Sequence, residues 1–415
     1  MVRREALTDI DPASFAPAEL ALFERLRAEG RTIHVAEPLA LAPEALCAAR
    51  AARTAEDAEL VTLARKPWFG APEITVLLAT HERRDVLLEC LAGFSRQLVR
   101  PGLMELVVID DGSTDGTPEL AQSLALAVPF TFLRHEQAGG ASRARVLGLP
   151  HARGRLVLFV NDDTIPFPDT VQRHLDAHAA LAPRRVAVLG TFEQPPEHLR
   201  NALMQLLEST DYVFGYHGLK AGQELDGGYF YTCNSSVEVE AVRAAGGFDP
   251  AFSLFAEDTD LGLRLERAGI PIVYRPECRA LHRHFLSFDT LSRRQRVVAK
   301  AHVRLLAKHP ERLARSPYWA ALTAAELTRR NAGVLPHLHT LEAACRSLAG
   351  VDLEALAQGS DACGATARTV AARLAELFPK LNKVWWNQGF LAGFAELGVS
   401  GFPEIARNHP EASHV

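Results

Sequence analysis

From Glu73 onward the hydrophobic positions fall in short unbroken runs separated by amphipathic stretches. Ile74–Ala79, Glu105–Ile109, Phe130–Leu133 and Leu156–Val160 are continuous apolar segments, not alternating ones. Strands covered on both faces by helices have that pattern. Helix-length segments lie between them, near 84–98, 116–127 and 140–151. Strand and helix in alternation predict an α/β fold with a parallel, doubly wound sheet. The flanks read differently. Ala18–Glu29 has apolar residues at helical spacing between Pro17 and Gly30, and the Ala-rich stretch Ala42–Arg65 is helix-prone up to Pro67. After about residue 290 the strand pattern stops, and Thr290–Lys308, Pro317–Arg330, Pro336–Leu348 and Ala365–Phe378 read as helices, with a break at Gly364. The predicted organisation is an N-terminal helical region over 1–70, a sheet domain over 71–290 and a C-terminal helical domain over 291–415.

Composition narrows the class. The 415 residues carry 45 Lys and Arg against 50 Asp and Glu, a formal charge of −5, so no basic excess is available for nucleic acid. The longest uncharged run, Leu120–Leu133, is too short and too interrupted to span a bilayer, which takes about 20 apolar residues. The opening residues MVRREALTDIDP have no apolar core, so no signal peptide is expected. Six scattered cysteines without a C-x-x-C pair argue against zinc and against a disulfide framework, and place the chain in a reducing cytoplasm.

In an open α/β sheet, ligands bind outside the carboxyl ends of the strands. Here the first strand is followed by Thr80-His81-Glu82-Arg83, the second by Asp110-Asp111-Gly112-Ser113, and the fourth by Asn161-Asp162-Asp163. Carboxylates crowded into one crevice repel, and a hard divalent cation, Mg²⁺ or Mn²⁺, relieves that repulsion. Helix capping explains any one of these clusters, but explains three on one edge poorly. No phosphate loop of the G-x-x-x-x-G-K-[ST] type and no G-x-G-x-x-G after the first strand is present. Gly139-Gly140 would let the backbone approach a ligand at the next helix, with Arg145 one turn on.

Downstream, Glu257, Asp258 and Asp260 stand before an amphipathic helix, Leu261–Ala268. His282 and His284 follow a short strand at Ile272–Tyr274, where a metal role for histidine competes with a structural one. Gly227–Tyr231 and Asn234–Ser236 are candidates for an acceptor wall, with core packing an equal alternative. The pair Trp385-Trp386 reads as packing.

In this order the motifs resemble family 2 glycosyltransferases of the GT-A fold, over about residues 72–290. The segments are Ile74–Arg83, Val107–Asp115, Gly139–Gly148, Phe159–Asp163, Gly246–Asp249 and Glu257-Asp258. The resemblance implies a mixed, mostly parallel sheet with helices on both faces, flanked by N- and C-terminal helical regions. It also implies inverting transfer of a sugar from a nucleotide-diphosphate sugar, UDP being the commonest nucleotide, with Mn²⁺ or Mg²⁺. Carried over by position, Asp111 would bond the nucleobase, and Thr80, His81 and Glu82 would lie against it. Asp110 and Arg145 would flank the nucleoside or diphosphate, and Asp162 the ribose or sugar. Asp163 would bind the metal with Asn161 and His282, and Asp258, beside Glu257, would be the general base.

The sequence departs from the family pattern at Asn161, where Asp is common, at His81-Glu82, where Tyr-Asn is usual, and at Val146. A catalytically weak relative would lack Asp163 or Asp258, and both are present. A sugar nucleotidyltransferase would show a Gly-rich loop with Arg directly after the first strand, and Thr80–Arg83 is not one. The acceptor is left open among glycan, lipid-linked, peptide and small-molecule nucleophiles.

One further pattern invites an anionic partner. Arg296, Lys300, Arg304 and Lys308 recur every four residues in a predicted helix, and like charges at that spacing oppose one another. The stripe is expected to meet an anionic acceptor, the inner membrane face as a peripheral contact, or acids elsewhere on the protein. The terminal regions are expected to pack on the sheet domain, the C-terminal one supplying a homodimer contact.

Overall fold

A computed structural model describes residues 60–67, 70–358 and 361–408. Ten strands form one sheet: β1 (Leu60–Lys66), β2 (Ile74–Thr80), β3 (Met104–Asp111), β4 (Phe130–His135), β5 (Leu156–Asn161), β6 (Thr164–Pro166), β7 (Ala187–Glu193), β8 (Glu224–Leu225), β9 (Asn234–Glu238) and β10 (Ile272–His282). Their order is β1-β4-β3-β2-β5-β9-β7-β10-β6, with β8 also on β10. The predicted strands β2, β3, β4 and β5 pair in parallel at its centre. Antiparallel β9 joins β5 to β7, so the sheet is mixed.

The unbroken apolar runs have the expected cause. Every residue of β3 is buried, and successive residues of the central strands alternate between two cores. Leu77, Val107, Ile109 and Phe159 face one core together with Ala144. Val76, Leu78, Leu106, Val108 and Leu158 face the other, together with Leu87, Phe94 and Val171. Helices α1 (Arg84–Ser95), α2 (Thr117–Ser123), α3 (Ala141–Gly148) and α4 (Thr170–Leu181) cover these faces.

The structure corrects the reading at several elements. Leu60–Arg65 lies in an edge strand antiparallel to β4, not in a helix. The predicted helix Ala18–Glu29, and the part of Ala42–Arg65 before Leu60, lie outside the described residues. The strand expected at Ile272–Tyr274 runs on to His282. Asn234–Ser236 is not an acceptor wall, because all three side chains are buried in β9. There His174 Nδ1 lies 2.8 Å from Ser236 Oγ and its Nε2 3.0 Å from Asn234 Oδ1, an internal polar cluster beneath α4.

Three later helices matter to the site: α5 (Glu257–Arg267), α6 (Phe288–Lys308) and α7 (Asp361–Leu397). Gly364 does not break α7, which continues through Pro379 for 37 residues. Its middle packs Leu374, Phe378, Leu381 and Trp385 with Leu203, Phe288 and Leu291. Its second half packs Phe390 and Phe394 with Val303, Leu327 and Phe402. Trp385 is fully buried in the first of these cores, as a packing residue would be. No helix among the described residues is long and apolar enough to cross a membrane.

The basic stripe has partners on its own chain. Arg296 reaches Glu342 and Gln388, Lys300 and Arg304 both hold Glu396, and Lys308 lies 2.6 Å from Asp249 and 2.7 Å from Asp260. Of the three expected kinds of partner, it is acids of the protein that meet these four cations.

Candidate active site

Strand register gathers the site. Thr80 stands opposite Asp110 across β2 and β3, and Ala79 opposite Asn161 across β2 and β5. The carboxyl ends of three parallel strands therefore finish level. Thr80 Oγ1 donates to Asp162 Oδ2 at 2.9 Å, joining the first strand end to the last. Antiparallel pairing of β10 with β6 sets His282 opposite Thr164, beside Asp163.

Several expected donor contacts turn out to have partners within the protein. Asp110 is fully buried and ion-paired to Arg134 at 2.5 Å. Asp111 accepts the backbone N–H groups of Gly139 and Gly140 at 2.7–2.9 Å. The glycines thus serve a close approach inside the protein: a Cβ on Gly140 would lie 2.3 Å from the Ser253 carbonyl oxygen. His81 Nδ1 lies 2.8 Å from the Asp111 carbonyl, and Glu82 accepts from the N–H and hydroxyl of Thr114. Arg145 is 3% exposed and donates to Glu257 at 2.8 Å and to Asn161 Oδ1 at 3.0 Å. It ties the β5 end to α5, and it takes up the Asn161 oxygen that the resemblance assigns to a metal.

Asp163 has different company. Its Oδ2 lies 3.1 Å from His284 Nδ1 and 3.7 Å from His282 Nε2, and one ligand atom from each of the three residues falls within 4.8 Å of the others. Its Oδ1 is buried without a hydrogen-bond partner. Burial pushes His282 down to about 3, against the pull of Asp163. Burial works against the Asp163 charge, yet His282, His284 and Arg83 hold that carboxyl well below its ordinary range. One hard anionic oxygen without a partner and two imidazoles suit Mn²⁺, with Mg²⁺ less favoured by nitrogen ligands. His284, two residues from His282, is the member that the resemblance did not assign to the metal.

The neighbouring Asp162 is pushed up to about 6 by burial, against the pull of Arg83 and with the push of Asp163.

The second half of the site is the start of α5. Ala256, just before it, has φ 71°, and Glu82 has φ 53°; among the described residues these are the two non-glycine positions in the left-handed region. Such strain persists where the surroundings over-determine it, and here it flanks the crevice on both sides. Glu257 is pushed up to about 7 by burial and by Asp258, opposed by Arg145. Asp258 is also raised, by burial first, while its Oδ1 accepts the Thr259 N–H at 2.7 Å. Asp260 is different. Fully buried, it accepts from Arg264, Lys308 and His309 at 2.7–3.1 Å, so it anchors α6 to α5 and is no proton acceptor.

Two further features bring the halves together. Burial and the charges of both Asp258 and Asp163 raise the thiol of Cys233, so the two carboxylates act on one buried residue. Arg294, on α6, lies 5.4 Å over the ring of Phe255, where the opposing charge of Asp258 reaches it. Nothing in the sequence distinguished Arg294 from its basic neighbours.

A mixed, mostly parallel sheet with acidic strand ends and a carboxylate helix start at one edge defines the GT-A fold. Residues 75–235 match the family model for glycosyl transferase family 2. The validoxylamine A glucosyltransferase of Streptomyces hygroscopicus subsp. limoneus is 30% identical over 233 residues, 50% of this chain and 50% of that protein. The uncharacterized glycosyltransferase YfnE of Bacillus subtilis (strain 168) is 26% identical over 253 residues, 50% of this chain and 64% of its own. A solved structure, the mannosyltransferase PcManGT from Pyrobaculum calidifontis with GDP-Man and Mn²⁺, is 20% identical with a TM-score of 0.49, covering 80% of this chain and 90% of that one. The chain spans about half the length of the first curated relatives it matches.

Proposed function

We propose that the protein is an inverting glycosyltransferase that moves a sugar from a nucleotide-diphosphate sugar to an acceptor nucleophile. The observation that carries the reading is Asp163: a buried carboxylate with one oxygen unpartnered and two imidazoles beside it. Asp163, His282 and His284 would hold the divalent cation, and Asn161 is left out of that set. A cation bound there supplies positive charge to the departing diphosphate.

The chain's own residues account for the rest. Asp258 accepts the proton of the acceptor nucleophile as it attacks the anomeric carbon on the face opposite the leaving group. A single displacement inverts the configuration. Glu257 is the poorer candidate for base, because Arg145 already holds its carboxylate in a buried pair. Its part is to position: through Arg145 it fixes α5 to the end of β5. Burial raises Asp258 above the ordinary carboxylate range, which strengthens it as a base.

The test is a panel of UDP- and GDP-sugars with Mn²⁺, read as release of nucleoside diphosphate and as the anomeric configuration of the product. UDP-glucose comes first, since UDP is the commonest family nucleotide and the 30% identical relative is named a glucosyltransferase. Release of diphosphate with inversion supports the reading. A product of retained configuration, or no release from any donor, overturns it.

A further inference from the structure

The guanidinium of Arg83 lies among the residues assigned to the cation. Its Nη1 is 3.1 Å from Asp162 Oδ1, and its Nη2 is 2.8 Å from Asp163 Oδ2 and 3.1 Å from His284 Nδ1. The same His284 Nδ1 is 3.1 Å from Asp163 Oδ2. These contacts conflict. A nitrogen that accepts from Arg83 has no proton for Asp163, and one that donates to Asp163 has no lone pair for Arg83. Either way one close contact stays unmet, and Asp163 Oδ1 has no partner as well. A divalent cation would resolve the conflict, because it takes lone pairs from carboxylate and imidazole alike.

Arg83 is suited to give way. Its side chain is 32% exposed, while those of Asp162 and Asp163 are 6% and 3% exposed. It leaves the first strand at a point where Glu82 already has φ 53°, so its backbone is fixed and its long stem is the movable part. Losing its Asp163 partner would leave one half of the fork on Asp162 and the other half free for a second anion.

We infer that Arg83 is a resident cation of this site, displaced from Asp163 and His284 by the divalent ion and then free to take a diphosphate oxygen of the donor. Metal and nucleotide therefore bind interdependently: the metal must displace Arg83, and the nucleotide gives Arg83 a new partner. The inference rests on the reading that Asp163, His282 and His284 hold the cation. Arg83 is a binding and positioning residue in this account and takes no part in bond making.

Mn²⁺ titration of the full chain, followed by loss of the free Mn²⁺ paramagnetic resonance signal, measures this without activity. It is run with no nucleotide, with UDP and with GDP. The unaltered protein should bind Mn²⁺ more tightly when the matching nucleotide is present. Arg83→Gln should bind Mn²⁺ alone about tenfold more tightly, as expected for removal of one charge within 3 Å of a buried carboxylate, and its nucleotide enhancement should shrink by a similar factor. Arg83→Lys keeps the charge but not the fork, and should lie between the two. Melting curves identify any variant that fails to fold, and Arg83→Lys then carries the comparison. Unchanged or weaker Mn²⁺ binding by folded Arg83→Gln, or an undiminished nucleotide enhancement, overturns the inference. Mn²⁺ binding that survives Asp163→Asn is a different outcome: it removes the cation assignment itself, whatever Arg83 does.

Discussion

Two parts of this molecule are dense in charge, and the sequence marks both as places for a ligand. One is the acidic crevice at the sheet edge; the other is the basic stripe on α6. The structure separates them by what is left without a partner. Arg296, Lys300, Arg304 and Lys308 all meet acids of the same chain, in Glu342, Glu396, Asp249 and Asp260. Asp163 keeps a buried oxygen without a partner, and Asp258 accepts from Thr259 in its own helix turn. Both regions hold their counterions, Asp163 in Arg83 at 2.8 Å; what sets the crevice apart is a buried carboxylate oxygen that still lacks a partner.

The largest effect expected is within the crevice. Asp258→Asn should retain nucleotide-sugar binding but lose roughly 10²–10⁴ in turnover, the usual worth of a general base. Asp163→Ala should lose metal and donor binding together. In the unaltered enzyme the acidic limb of kcat/KM should lie above the ordinary carboxylate range, because a raised Asp258 must lose its proton before it can act. Nucleotide titrations of both variants with Mn²⁺ check the distinction. Equal loss of binding would move Asp258 to the donor site and remove the contrast with Asp163.

A second, smaller effect probes where the two regions meet. Asp260 belongs to the acidic cluster by sequence but to the compensated set by structure, with Arg264, Lys308 and His309 around it. Asp260→Ala leaves those cations facing one another around a buried gap and should cost about 3–5 kcal/mol of stability. Denaturant unfolding measures that loss. A variant of normal stability with abolished turnover would instead return Asp260 to the chemistry.

The smallest effect belongs to the stripe. Reversing Lys300 and Arg304 to Glu should cost about 0.2–1 kcal/mol for each half-exposed pair, and Glu396→Lys should restore part of it. Binding to anionic liposomes should not change. A clear loss of liposome binding would show that the stripe serves a surface as well as Glu396.

How far the sequence could be read follows the same division. The central strands were legible because a strand buried on both faces carries an unbroken apolar run, as β2, β3 and β5 do before their polar ends. The edge strand β1 is half exposed and follows an Ala-rich stretch, so helical propensity hid it. Antiparallel β9 was missed because its core-facing side chains are polar, made tolerable in the interior by His174, His178 and the carbonyls of Thr191 and Cys278. At the site, the identities of the acids were legible because strand ends carry them. Their partners were not. Arg145 to Glu257 spans 112 positions, and Arg83 to His284 spans 201. Nothing local to Asp110 or Asp111 says that each is already engaged.

The uninterrupted run of α7 has a consequence for how the C-terminal half comes apart. One helix supplies side chains to two separate apolar clusters, Trp385 to the first and Phe394 to the second, with Pro379 at its midpoint. Loops between cores usually let each open on its own, but a rigid rod through both makes the fraying of one a strain on the other. The region around α6 and α7 thus behaves as one cooperative unit. Because Asp260 fastens α6 to α5, that unit includes the helix that presents Asp258. The carboxylate is held not by a loop free to breathe but by a scaffold that must melt as a whole before it can wander.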